Sequence, residues 1–148
     1  MATNRRPQKP DSYQRGGIYI CNLPMQTVTE TTDGKSHHRD GIERDGPHPC
    51  VVISTDDFNG GQSDSLIVIP IVHSAKVVLE QYKGIPSSWV RVITKGEPSY
   101  AVVDQIRCID RGRCRAKVGD LAQCDLSLIE GKLQQLLFVR LQQHLQRE

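Results

Sequence analysis

Residues 65–74 read SLIVIPIVHS, and almost every side chain in the stretch is apolar. Such a run reads as a β-strand buried on both faces rather than one with a wet side. Pro70 sits inside it without the amide proton that ladder pairing uses, so an edge or a bulge is expected there. Upstream, HPCVVIS (48–54) reads as a strand, and TDDFNGG (55–61) supplies turn chemistry through Asp, Asn and paired glycines. Further upstream, GGIYICNLP (16–24) holds a short β-rich run over Ile18, Tyr19, Ile20 and Cys21, ended by Pro24. Downstream, WVRVIT (89–94) alternates apolar and polar residues as a half-buried strand does. KGEPS (95–99) reads as a turn, YAVVDQIRCID (100–110) as one strand and RCRAKVG (113–119) as a shorter last one.

Beyond these strands the period changes. Leu126, Ile129, Leu133, Leu136, Leu137 and Leu141 recur at helical spacing and form one apolar stripe. Asp125 or Ser127 can cap the start, and Ser127 with Glu130 makes a capping-box pattern. Gly131 inside the helix costs about 1 kcal/mol relative to alanine, so tertiary packing must hold it. A run of short strands followed by one helix predicts a mainly β (α+β) fold: a small β-barrel with a helix packed across it.

The whole chain sets the frame for function. At 148 residues it is one domain with room for a real core. Its formal net charge of +2 is too small to argue for nucleic acid by itself. Five cysteines, an odd number with no CxxC pair, suit a reduced cytoplasm better than a disulfide framework, and their spacing is not that of a zinc site. They are read as structural. Residues 1–14 form a basic, proline-bearing tail without the apolar stretch of a secretory signal, and 15–148 form the domain. No segment has the length of a membrane span, so a cytoplasmic location is expected. The polar stretch from Gln26 to Gly46 reads as a long loop of the kind that carries function.

Four positions carry candidate chemistry. His48 opens a strand between Pro47 and Pro49, while His73 closes another just before Ser74. Asp104 interrupts the apolar run YAVVDQIR, and a carboxylate buried in mid-strand is costly unless paired or hydrogen-bonded. Arg107 is its nearest partner in sequence, but a spacing of three points the two to opposite faces of a flat strand unless a bulge intervenes. In DRGRCRAK (110–117), Arg111, Arg113, Arg115 and Lys117 alternate with small residues, which on a strand would put four cations on one face. Such a face is either ordinary solvated surface or a stripe that engages phosphates.

The motifs in order, RGGIYICNLP, GPHPCVVISTDDFN, LIVIPIVHS and VVDQIRCIDRGR before a closing helix, resemble the MazF/PemK toxin family from about Arg15 to the final helix. The resemblance implies an SH3-like barrel of the CcdB/MazF type acting as a homodimer. It implies a toxin of a type II toxin-antitoxin system, a metal-independent endoribonuclease that cuts single-stranded RNA and is neutralised by a cognate antitoxin. No cofactor is implied. The related CcdB branch acts on DNA gyrase instead.

Position by position, the family's catalytic arginine falls on His48 and its threonine on Val72, with His73 and Ser74 following directly. The family's aspartate is present as Asp104, beside Gln105 and Arg107. The loop that borders the family's RNA groove corresponds to 26–46, bringing His38 and Arg39 toward substrate. On the enzymatic reading, His48 and His73 share acid–base duty, since an imidazole titrates near pH 6.5 and an arginine hardly gives up its proton. Ser74 belongs to the same candidate centre. Asp104 would orient one imidazole, and Arg107 or Arg113 would stabilise phosphoryl charge, with Gln105, Arg111 and Arg115 as further substrate contacts. That pairing requires a twist after Pro70, because on a regular strand His73 faces away from Val72. On the other reading the substituted barrel has lost catalysis and binds RNA or an antitoxin as a regulator; gyrase poisoning is a third.

Overall fold

A computed structural model of the chain describes residues 12–23, 29–30, 36–37, 46–73 and 84–138. The strands are β1 (Gly17–Leu23), β2 (Thr29–Glu30), β3 (Ser36–His37), β4 (Gly46–Val52), β5 (Ser65–Val72), β6 (Trp89–Thr94), β7 (Glu97–Val102), β8 (Arg107–Asp110) and β9 (Cys114–Asp120). Among the described residues two α-helices accompany them, α1 (Asp56–Asn59) and α2 (Gln123–Leu137). Seven strands make one antiparallel sheet in the order β6-β7-β5-β4-β1-β9, with β8 also paired to β5. The small β2–β3 ladder stands apart, within the polar stretch read as a loop.

Pro70 marks a change of neighbour. Before it, β5 pairs β8 (Val68↔Arg107); after it, β5 pairs β7 (Ile71↔Ala101). Four residues of β5, Val68 to Ile71, therefore face seven along the chain from Ala101 to Arg107, an excess of three. The excess forms a 3-10 turn, Val103–Gln105, so the single strand read over 100–110 is two strands joined by a corner. The turn read over 95–99 shrinks to Lys95 and Gly96, because Glu97, Pro98 and Ser99 are already paired with β6. Both of those turn residues have left-handed backbone, with φ of 51° and 75°.

Alternation along the strands separates two apolar layers. Ile18, Val51, Ile69, Ile71, Val92 and Ala101 form one, covered by Leu126 and Ile129 of α2. Tyr19, Cys21, Cys50, Val52, Val68 and Cys114 form the other, continued by Val72, Trp89, Tyr100 and Val102. Burial of β5 on both faces follows from its place between the layers.

The start of α2 differs from the capping-box expectation. The helix begins at Gln123 after Ala122, so Ser127 lies within it and caps nothing. Asp125 instead accepts the Ile93 backbone N–H at 3.0 Å and ties the helix to β6, and Glu130 forms an ion pair with Arg15. Leu136 and Leu137 are exposed, and Leu141 lies outside the described residues. Tyr13, within the predicted tail, is buried and donates to the Cys114 carbonyl at 2.8 Å. Burial pushes its phenol up to about 12.

Candidate active site

His73 is the last residue before a segment outside the described residues, and its ring is held by two hydroxyls. Its Nδ1 lies 2.9 Å from Ser99 Oγ and 3.3 Å from Thr94 Oγ1, and the two hydroxyls are 2.6 Å apart. Ser99 and Thr94 are buried while His73 is exposed, so the network fixes one edge of the imidazole and leaves the other toward solvent. Sequence reasoning missed both hydroxyls. Pairing of Thr94 with Glu97 across the short β6–β7 turn sets Ser99 and Thr94 within reach of each other, and the pairing of β7 with the end of β5 brings in His73.

Beside this ring opens a cavity of about 500 Å³, lined by Ile18, Ile20, Pro49, Val118, Thr94 and His73, with Lys95 and Asp120 also on its wall. Lys95 stands in left-handed backbone, where an L side chain is disfavoured by roughly 1–2 kcal/mol and Gly or Asn is the usual occupant of such a hairpin. A cation is thus held at the cavity wall at a conformational cost. Asp120 forms an ion pair with Lys117 at 2.8 Å, a hydrogen bond that raises the lysine above its ordinary value.

His48 lies elsewhere. In the β1–β4 ladder Ile20 faces Pro49 and Cys21 faces His48. Ile20 and Pro49 line the cavity, whereas Cys21 belongs to the other layer. Directly paired residues share a face, so His48 and His73 sit on opposite faces of the sheet. The strand does not redirect His73 after Pro70, and the expected acid–base pair of these two imidazoles does not converge within one chain.

Asp104 is likewise displaced from its expected setting. It is exposed in the 3-10 corner rather than buried in a strand, because the three excess residues are extruded from the ladder. The groups that orient His73 are Ser99 and Thr94 instead. Arg107 donates to the Gln105 carbonyl and side chain at 3.3 and 3.2 Å, and Gln105 is buried.

The cationic stripe is only partly realised. Arg111 and Arg113 lie in a second 3-10 turn, Arg111–Arg113, and not in a strand. Arg111 donates to the carbonyls of Asn59 and of Ser63 (3.0 Å for the latter) and covers the Tyr13 ring at 5.7 Å, which makes it a brace for the turn after β4. Arg113 and Arg115 are exposed, and Lys117 is engaged with Asp120 and Gln14. Ser74, His38 and Arg39 lie outside the described residues. Among the described residues no cluster of His, Cys, Asp or Glu has the arrangement of a metal site.

A family model for the PemK-like, MazF-like toxins of type II toxin-antitoxin systems matches residues 14–137. The chain belongs to this family. Its fold is similar to that of MazF from Deinococcus radiodurans, with TM-score 0.63 and 22% identity over 86% of this chain and 98% of that one. A mycobacterial endoribonuclease solved with its cognate antitoxin superposes with TM-score 0.56 at 15% identity, over 86% of this chain and 95% of that one. The Deinococcus radiodurans MazE-MazF complex gives TM-score 0.58 at 21% identity, over 87% and 98%. No curated protein matches the sequence. These likenesses establish a MazF-type fold, a mostly antiparallel sheet with a C-terminal helix. Among the described residues no helix is long and apolar enough to cross a membrane.

Proposed function

We propose that this PemK/MazF-like toxin is a metal-independent endoribonuclease that cleaves single-stranded RNA in the cytoplasm, acts as a homodimer and is held in check by a cognate antitoxin. The observation that carries the reading is the His73 imidazole, held by Ser99 and Thr94 at the wall of a nucleotide-sized cavity beside Lys95. With Nδ1–H donated to a hydroxyl, Nε2 keeps its lone pair and takes the proton from the RNA 2′-hydroxyl. The 2′-oxygen then attacks phosphorus, the bond to the 5′-oxygen breaks, and a 2′,3′-cyclic phosphate remains. Lys95 stabilises the charge on the phosphoryl oxygens, and the departing 5′-oxygen takes its proton from water at the open cavity.

A second centre is favoured by the β4–β5 ladder. Cys50 faces Pro70, and continuing two residues would set His48 opposite Val72, the positions of the family's arginine and threonine. There His48 would supply the base and Arg107 the positive charge, with Gln105 holding the guanidinium.

Single-turnover cleavage of a long RNA in EDTA, with wild type beside His73→Ala and His48→Ala, decides between them. Loss of about 10²–10⁴-fold in His73→Ala alone, with 2′,3′-cyclic phosphate ends from the wild type, supports the cavity. The same loss in His48→Ala alone moves the chemistry to the other face. A folded wild type that binds RNA without cutting it leaves the non-catalytic barrel as the reading.

A further inference from the structure

Cys21, Cys50 and Cys114 lie together in one apolar layer, all fully buried. Cys21 and Cys114 are directly paired residues of β1 and β9, and their sulfurs are 2.7 Å apart. That is well inside ordinary non-bonded contact and about 0.7 Å beyond the length of a disulfide. The two sulfurs are thus already side by side, in directly paired residues of neighbouring strands.

We propose that Cys21 and Cys114 are a covalent modification site, an intramolecular disulfide that clamps β9 to β1 when the protein meets a peroxide oxidant. The sulfur of one cysteine attacks hydrogen peroxide, giving a sulfenic acid and water. The sulfur of the second then displaces the sulfenic oxygen, which leaves as a second water. Two thiols and one peroxide give one S–S bond and two waters, with both electrons passing from sulfur to peroxide.

The surroundings set how the step proceeds. Among the described residues β9 pairs only with β1, and its ladder is irregular, with Tyr19 facing Lys117 and Cys21 facing Cys114. Three residues of β1 (19–21) thus face four of β9 (114–117), a bulge that weakens the edge. Local opening of this edge is the route by which a small oxidant reaches buried sulfur. Hydrogen bonding with Cys114 and Cys50, together with burial, pushes the Cys21 thiol far above its usual range. Oxidation is therefore slow at neutral pH and accelerates as pH rises. Cys50 is the rival partner, whereas Cys108 and Cys124 are exposed. The clamp stands independently of the ribonuclease reading.

The test uses the full-length chain, treated with hydrogen peroxide, denatured in N-ethylmaleimide and mapped by mass spectrometry without reduction. The expected product has lost two hydrogens, joins the peptides of Cys21 and Cys114, and carries maleimide on the remaining three of the five cysteines. Cys50→Ser retains the link, and dithiothreitol reverses it. Closing a loop of 93 residues raises the melting midpoint by about 10 °C. Five alkylated thiols after exhaustive oxidation, a Cys21–Cys50 link, or an unchanged midpoint in the cross-linked protein would overturn the proposal. None of these readouts depends on a variant folding, since the wild type alone supplies them.

Discussion

Replacing Ser99 with alanine tests the network at the cavity most sharply. The hydroxyl is fully buried and bonds His73 Nδ1 at 2.9 Å and Thr94 Oγ1 at 2.6 Å. Alanine leaves almost no cavity, so the loss is confined to hydrogen bonding. Each bond is worth about 0.5–1.5 kcal/mol net, and Thr94 keeps its own 3.3 Å contact with His73. A destabilisation of about 1–2 kcal/mol follows, read as a fall of roughly 3–6 °C in melting midpoint for a chain of this size. Ser99 is fully buried and off the cavity wall, so its effect on cleavage is expected through the orientation of His73. The expected loss is about 10- to 100-fold in kcat, smaller than for His73→Ala, with KM within about twofold. A Thr94→Val partner completes a double-mutant cycle in single-turnover cleavage, and the two losses should be non-additive because both hydroxyls act on one ring. An unchanged kcat alongside the expected fall in midpoint would refute the reasoning: the hydroxyls would then be structural only.

Two further tests address other parts of the molecule. Arg111→Ala removes the brace on the Asn59 and Ser63 carbonyls and should cost about 2–3 kcal/mol in urea unfolding, whereas the exposed Arg113→Ala should leave stability alone. If Arg113 meets RNA phosphate, that second variant lowers the salt slope of binding by about one, and an identical slope removes Arg113 from the interface. Tyr13 gives a pH test with a defined sign. Its phenol is neutral in the fold to about pH 12 but ionises near 10 when unfolded, so its contribution is complete below pH 10 and lost as pH rises toward 12. Urea midpoints across that window should fall in wild type and fall less steeply in Tyr13→Phe.

Much of the strand pattern is legible locally. The apolar run 65–74, the alternation in 89–94 and the leucine spacing after 125 each constrain one element through its own periodicity, and β5, β6 and α2 form there. Pro70 announces a disturbance because its missing amide proton is a property of the residue itself. The break at 103–105 is different. Val102, Val103 and Asp104 continue a plausible strand, and only the competition between β7 and β8 for one flank of β5 forces the excess residues out. Asp104 consequently reads as a buried carboxylate in sequence and stands exposed in the fold.

The candidate site divides along the same line. Sequence alone determined the position of most strands, the closing helix and the family resemblance, because these rest on residue chemistry repeated at short, regular intervals. It also marked His48 and His73 as ionisable groups at strand ends. Only the tertiary structure decided that they lie on opposite faces, that His73 is held by Ser99 and Thr94 across the β6–β7 hairpin, and that Cys21 meets Cys114 from 93 residues away. Those outcomes depend on which strands pair and in what register. Each register shift of one residue turns a side chain to the other face, so small differences in pairing energy, summed over the whole sheet, settle what no local pattern contains.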